Sequence, residues 1–137
     1  MKFEKELYNS RILVIDDDLS ISTIIKESLN KDGFSNVLSV ENGKDGIKIL
    51  PDFDPDLIIL DMQMPIMNGL EFLERINMTA DDNFSIIVLT GKIEDKSIEK
   101  SFELGINAYL RKPFNIYALK GIVRQNLLLQ KIILDFL

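Results

Sequence analysis

Short apolar runs recur along the chain, and most of them end abruptly on a polar residue. Arg11-Ile12-Leu13-Val14-Ile15 runs into Asp16-Asp17-Asp18, and Leu57-Ile58-Ile59-Leu60 runs into Asp61. Phe84 to Leu89 ends at Thr90-Gly91, and Asn107-Ala108-Tyr109-Leu110-Arg111 ends at Lys112-Pro113. Asn36 to Val40 is a further short strand pattern. Unbroken Ile, Leu and Val over so few positions predict strands buried on both faces, as in parallel sheets covered by helices. Between the runs the period changes. Ile21, Ile24, Ile25 and Leu29 fall on one face of a helix, which Asp18 or Ser20 can cap and Gly33 can end. A short helix over Gly43–Leu50 is expected to stop at Pro51, and Gly69–Ile76 predicts the next. Asp95–Leu104 predicts a helix apolar only at Ile98, Phe102 and Leu104, with Gly105 as its stop. Residues 78–83 read as a polar loop, and Asn115–Leu137 as one long helix.

This alternation gives an α/β domain. A parallel sheet lies between helices on both faces, joined by right-handed crossovers. A short polar lead-in over residues 1–10, read as a frayed turn, precedes a domain over 11–126. Residues 127–137 are an apolar extension of the last helix. At 137 residues the chain has room for one real core. A net charge of −6 without a basic cluster argues against a nucleic-acid surface. The charged N-terminus is unlike a signal peptide, and no apolar run reaches the length of a membrane span, so a cytoplasmic location is expected. There is neither cysteine nor histidine. Disulfides, thiolate metal sites and an internal phosphohistidine are thereby excluded, leaving carboxylate, lysine and hydroxyl groups for polar chemistry.

Those groups collect at one sheet edge. Asp16 and Asp17 follow the first strand, Asp61 ends the third, Thr90 the fourth and Lys112 the fifth. Each alone reads as an ordinary turn, cap or surface residue; four strand ends carrying them together do not. In a doubly wound sheet these ends lie on one side, where ligands bind. Three crowded carboxylates need a cation, and an all-oxygen donor set suits Mg²⁺. A lysine adds a point charge for an anionic oxygen, and a threonine adds a hydrogen bond. Together they can hold a phosphoryl group with a carboxylate as nucleophile.

The pieces Ile12-Leu13-Val14-Ile15-Asp16-Asp17-Asp18, Leu60-Asp61-Met62-Gln63-Met64-Pro65-Ile66-Met67-Asn68-Gly69, Val88-Leu89-Thr90-Gly91 and Gly105 through Phe114 occur in this order. Over about residues 10–126 the chain resembles the receiver domain of two-component response regulators. The resemblance implies a flavodoxin-like fold with five strands in the order 2-1-3-4-5. It implies Asp61 as phosphoacceptor, and Mg²⁺ held by Asp17, Asp61 and the Gln63 backbone carbonyl, with Asp16 acting largely through metal-bound water. It further implies Thr90 as the switch hydroxyl, Tyr109 as the switch aromatic, Lys112 on the phosphoryl group and a cis Lys112–Pro113 bond. Gln63 and Lys92 are positions that can tune the lifetime of the phosphorylated state.

The implied function is a signalling switch, not an enzyme beyond its own phosphorylation and dephosphorylation. A sensor histidine kinase or histidine phosphotransfer protein would supply the phosphoryl group. A changed surface over Asp95–Leu104, Asn107–Arg111 and the final helix would act on a downstream partner or an output domain outside this sequence. Two alternatives are a phosphorylation-independent pseudo-receiver and a Mg²⁺-dependent phosphohydrolase. The second would want a general acid two residues after Asp61, where Gln63 stands. In the final helix, Ile116, Leu119, Val123 and Leu127 form a stripe for the sheet. A heptad frame with Leu119, Asn126 and Ile133 at a and Ile122, Leu129 and Phe136 at d suggests a homodimer through this helix.

Overall fold

The computed structural model describes residues 2–77, 84–91 and 96–136. In chain order the elements are α1 (Lys2–Tyr8), β1 (Arg11–Ile15), α2 (Leu19–Lys31), β2 (Asn36–Val40), α3 (Gly43–Phe53) and β3 (Leu57–Asp61). They continue with α4 (Gly69–Asn77), β4 (Ser85–Thr90), α5 (Lys96–Glu103), β5 (Ala108–Arg111) and α6 (Ile116–Phe136). The five strands are all parallel, in the order β2-β1-β3-β4-β5. The sheet is therefore the expected one, and the polar loop expected over 78–83 lies outside the described residues.

Side chains alternate across each strand, so each apolar run feeds two cores. Ile12, Val14, Leu57, Ile59, Ile87 and Leu89 face α2 and α6, where Ile25, Leu29, Leu119, Val123 and Leu127 meet them. Leu13, Ile15, Ile58, Leu60, Ile86 and Val88 face the other way, onto Phe72, Leu73 and Ile76 of α4 and Ile98 of α5. Among the described residues no helix is long and apolar enough to cross a membrane.

Three local expectations are corrected. The lead-in is a helix, α1, and its Leu7 is buried in the α2–α6 core. Its Tyr8 ring packs on Phe34 with centroids 5.0 Å apart, and Arg124 of α6 lies over the same ring while donating to its hydroxyl. Gly33 serves this contact as well as the end of α2: its φ is +111°, and a Cβ there would meet Tyr8 Cδ1 at 3.2 Å. Helix α3 does not stop at Pro51 but runs one turn further, until Asp54 turns left-handed and its N–H bonds the Leu50 carbonyl. Proline removes one donor from a last turn whose next amide is thus satisfied. On α2 the buried stripe is Ser22, Ile25 and Leu29, whereas Ile24 is 53% exposed. The Ser22 hydroxyl can be buried because it donates to the Leu19 carbonyl at 3.3 Å.

Candidate functional site

Register sets the site. Ile15 pairs with Leu60, so Asp16 emerges from β1 beside Asp61 at the end of β3. Across β4, Thr90 pairs with Arg111, which brings Lys112 to the same edge; the Lys112 N–H donates to the Thr90 carbonyl at 2.7 Å. Strand order reverses between β2-β1 and β3-β4-β5, so the site lies at the crevice where open α/β sheets take ligands.

The loop after Asp61 is held tightly. Asp61 Oδ1 accepts from the Gln63 N–H at 3.1 Å, and the Gly69 N–H closes the loop onto the Met62 carbonyl at 3.0 Å. Any Cβ at Gly69 would sit 2.8 Å from the Asp61 carbonyl oxygen, which explains the glycine there. Within the loop, the Met67 N–H donates to the Pro65 carbonyl around Ile66, whose φ is +71°. Such a conformation is unfavourable for a β-branched residue, and this one is 76% exposed. Asn68 then caps α4: its Oδ1 accepts from the Glu71 N–H at 2.9 Å, and the Glu71 carboxylate accepts from the Asn68 N–H at 3.3 Å.

The acids converge as expected. One carboxylate oxygen from each of Asp16, Asp17 and Asp61 lies within 4.8 Å of the others. Asp16 and Asp61 are buried and Asp17 is exposed. Lys112 Nζ stands 3.1 Å from Asp16 Oδ2 and 3.2 Å from Asp61 Oδ1. The remaining Asp16 oxygen accepts from the Asp18 N–H at 2.9 Å, while Asp18 itself caps α2 through the Ser20 and Ile21 amides. One ammonium cannot balance this cluster. Burial, and then the neighbouring Asp16 charge, push the Asp61 carboxyl from 3.8 up to about 7, against the pull of Lys112 and the Gln63 amide. Burial works against the Lys112 ammonium too, yet Asp61 and Asp16 hold it above its ordinary value. An all-oxygen acid cluster with surplus negative charge fits a hard divalent cation.

Thr90 is buried at the end of β4. The structure adds a role for Gln63 that residue types alone do not reveal. Its carboxamide donates from Nε2 to Thr90 Oγ1 at 3.2 Å and accepts at Oε1 from the Gly91 N–H at 3.0 Å. Tyr109 stands apart from the acids, partly exposed and edge-on to Phe102 with centroids 5.8 Å apart. The Lys112–Pro113 bond is cis, as expected. Lys92 lies outside the described residues.

A family model described as the response regulator receiver domain matches residues 12–124. This chain belongs to that family. Receiver domains are signalling regulators of two-component systems and not classical enzymes. The chain is 34% identical over 121 residues to sporulation initiation phosphotransferase F of Bacillus subtilis, covering 88% of this chain and 96% of that protein. It is 36% identical over 106 residues to the transcriptional regulatory protein CpxR of Klebsiella pneumoniae, covering 77% of this chain but 44% of CpxR. The receiver thus spans nearly all of the first relative and under half of the second. Among solved structures, the response regulator receiver domain protein (CheY-like) from Methanospirillum hungatei superposes with a TM-score of 0.84 at 27% identity. That match covers 90% of this chain and 97% of the other, and it carries the same fold.

Proposed function

We propose that this receiver is a phosphorylation-activated switch in which Asp61 accepts the phosphoryl group. The observation that carries the reading is a buried Asp61 with Lys112 Nζ 3.2 Å from Oδ1 and the carboxylates of Asp16 and Asp17 beside it. Among the described residues Asp61 Oδ2 has no hydrogen-bond partner, which suits it for attack. Asp16, Asp17, Asp61 and the Gln63 backbone carbonyl would hold Mg²⁺. When bound, the cation neutralises charge on the reacting oxygens and keeps Asp61 ionised. Lys112 contributes a fixed positive charge to a phosphoryl oxygen, and Thr90 with the Gly91 amide supplies hydrogen bonds to the others.

The phosphodonor is a sensor histidine kinase or a histidine phosphotransfer protein; the chain cannot supply a phosphohistidine itself, having no histidine. Phosphorylation adds close to two negative charges, toward which Thr90 moves; Tyr109 then leaves Phe102 and turns inward. The α5–β5–α6 surface changes accordingly and acts on a downstream partner or output domain. Gln63 and Lys92 tune the lifetime of the state.

The test uses Mg²⁺ and acetyl phosphate with intact-mass detection. Wild type gains one phosphoryl group, Asp61→Asn gains none, and Asp17→Ala gains little. Thr90→Ala still takes up the group but leaves the Tyr109 environment unchanged by NMR. Full labelling of Asp61→Asn contradicts the acceptor assignment. A wild type that neither labels nor responds to Mg²⁺ is a pseudo-receiver.

Self-association through the end of α6 is part of the same proposal. Leu119, Val123 and Leu127 are buried in the domain's own core, and Ile122 packs against it. Asn126 spends its amide on the Ile122 carbonyl at 2.9 Å. The front of the expected heptad seam is therefore occupied, and what supports a dimer is the exposed remainder, Leu129, Ile133 and Phe136. Sedimentation at micromolar concentration checks it: Ile133→Glu yields a monomer where wild type is a dimer, and identical profiles refute the dimer.

A further inference from the structure

We infer that the Gln63 side chain is a latch that holds the switch in its unphosphorylated position, and that phosphorylation must displace it. The inference rests on the phosphoacceptor reading above and adds a competitor to it. Gly91 N–H has one hydrogen. It donates that hydrogen to Gln63 Oε1 at 3.0 Å, so it cannot also donate to a phosphoryl oxygen on Asp61. The second bond, from Gln63 Nε2 to Thr90 Oγ1 at 3.2 Å, follows from the first. With Oε1 committed to the amide donor, the NH₂ group can only face the hydroxyl. Rotating the carboxamide by half a turn would set NH₂ against N–H and lose the Gly91 bond, since a backbone N–H can only donate. One side chain on the loop after β3 thus cross-links that loop to both switch positions at the end of β4.

The geometry also explains how the latch opens. Gln63 is exposed, so its own carboxamide can exchange these partners for water. A Cβ at Gly91 would come no closer to Gln63 Oε1 than 3.8 Å, so the contact is made by the hydrogen bond and not by steric wedging. Releasing a solvent-accessible bond of this kind is worth about three- to tenfold in an equilibrium constant. That is enough to bias a two-state switch without locking it.

The test uses the full chain and beryllofluoride, a non-covalent phosphoryl mimic, at saturating Mg²⁺. Gln63→Met and Gln63→Ala differ in bulk but both lack the carboxamide. Both should bind beryllofluoride about three- to tenfold more tightly than wild type. Without the mimic, the Gly91 amide proton of both should exchange faster with solvent, and its NMR signal should leave the wild-type position. Equal beryllofluoride affinities, or an unmoved Gly91 signal, overturn the latch. So do opposite shifts in the Met and Ala variants, which would trace the effect to bulk. A wild type that binds no beryllofluoride, while its Gly91 signal still responds to the Gln63 changes, overturns the phosphoacceptor reading instead. The two failures are therefore distinct.

Discussion

The two edges of the sheet use the same residue types to opposite ends. At the edge where the strands begin, Arg11 lies 3.4 Å from Asp54 and its backbone N–H donates to Asp56 Oδ2 at 2.7 Å. Gln130 of α6 seals that edge by donating to the Asp56 carbonyl at 2.9 Å and to Ser85 Oγ at 2.5 Å. Every acid named there has a donor, and the Arg11–Asp54 pair is open to water. At the edge where the strands end, Asp16 and Asp61 are buried and share one lysine, with Asp17 beside them. A balanced, wet pair is a cheap structural tie. A buried, unbalanced cluster is costly in isolation and becomes useful when a cation or a phosphoryl group completes it.

The comparison breaks most visibly at Lys112. Lys112→Met leaves Asp16 and Asp61 facing each other with no counter-charge among the described residues. In metal-free buffer at pH 8 it should destabilise the fold by about 3 kcal/mol, read from urea unfolding. Added Mg²⁺ should recover more stability in this variant than in wild type, because it replaces the cation that the described residues give the buried pair. A variant as stable as wild type without metal would mean that the acids are better solvated than their burial implies.

Asp61 gives the comparison a pH signature. In the folded, metal-free protein its carboxyl is raised from 3.8 to about 7. Between those values the folded chain holds a proton that the unfolded chain has lost. The contribution of this group is therefore fully present below the lower value and is lost as pH rises through the upper one. Metal-free wild type should lose melting temperature relative to Asp61→Asn between pH 5 and pH 8. Parallel curves for the two proteins would refute the raised carboxyl.

How much of this was legible in the sequence follows from the range of each interaction. The sheet and its polar edge were readable because buried parallel strands leave unbroken apolar runs, and because one side chain at each strand end falls on the same side. Helix α1 was not. Seven residues hold too few apolar positions to show a period, and its anchors, Phe34 and Arg124, are remote in sequence. Ile24 was misplaced because a stripe on α2 can be read two ways, and the hydroxyl of Ser22 hides a buried position behind a polar name. Gln63 was legible as a neighbour of Asp61. Its bonds to Thr90 and Gly91 were not, since they depend on how two loops meet across the sheet edge.

At the opposite edge the expected effects shrink. Asp56→Ala removes the carboxylate that accepts the Arg11 N–H at 2.7 Å and leaves a strand-end donor to water. It should cost about 1–2 kcal/mol, as loss of a charge-assisted hydrogen bond near the surface does. The loss should be the same with and without Mg²⁺. A Mg²⁺-dependent loss would couple the two edges and undo the contrast between them.

The smallest effect belongs to the Arg11–Asp54 pair, and it sharpens the comparison because it isolates charge. The two side chains are 44% and 84% exposed. Asp54 has a second task, ending α3 in the left-handed region at φ 49°, so alanine there would confuse backbone strain with a lost ion pair. Asp54→Asn avoids this, because asparagine tolerates the same backbone and changes only the charge. The Arg11 Nε bond to the Asp54 carbonyl, at 2.9 Å, is untouched. What is removed is a screened attraction, and the urea midpoint should move by less than about 0.5 kcal/mol in equivalent stability. The variant and wild type should also respond alike to high salt, since little remains to be screened. A shift above about 1 kcal/mol would show that this pair is more than a wet tie. The contrast between the edges would then rest on burial alone and not on the balance of charge.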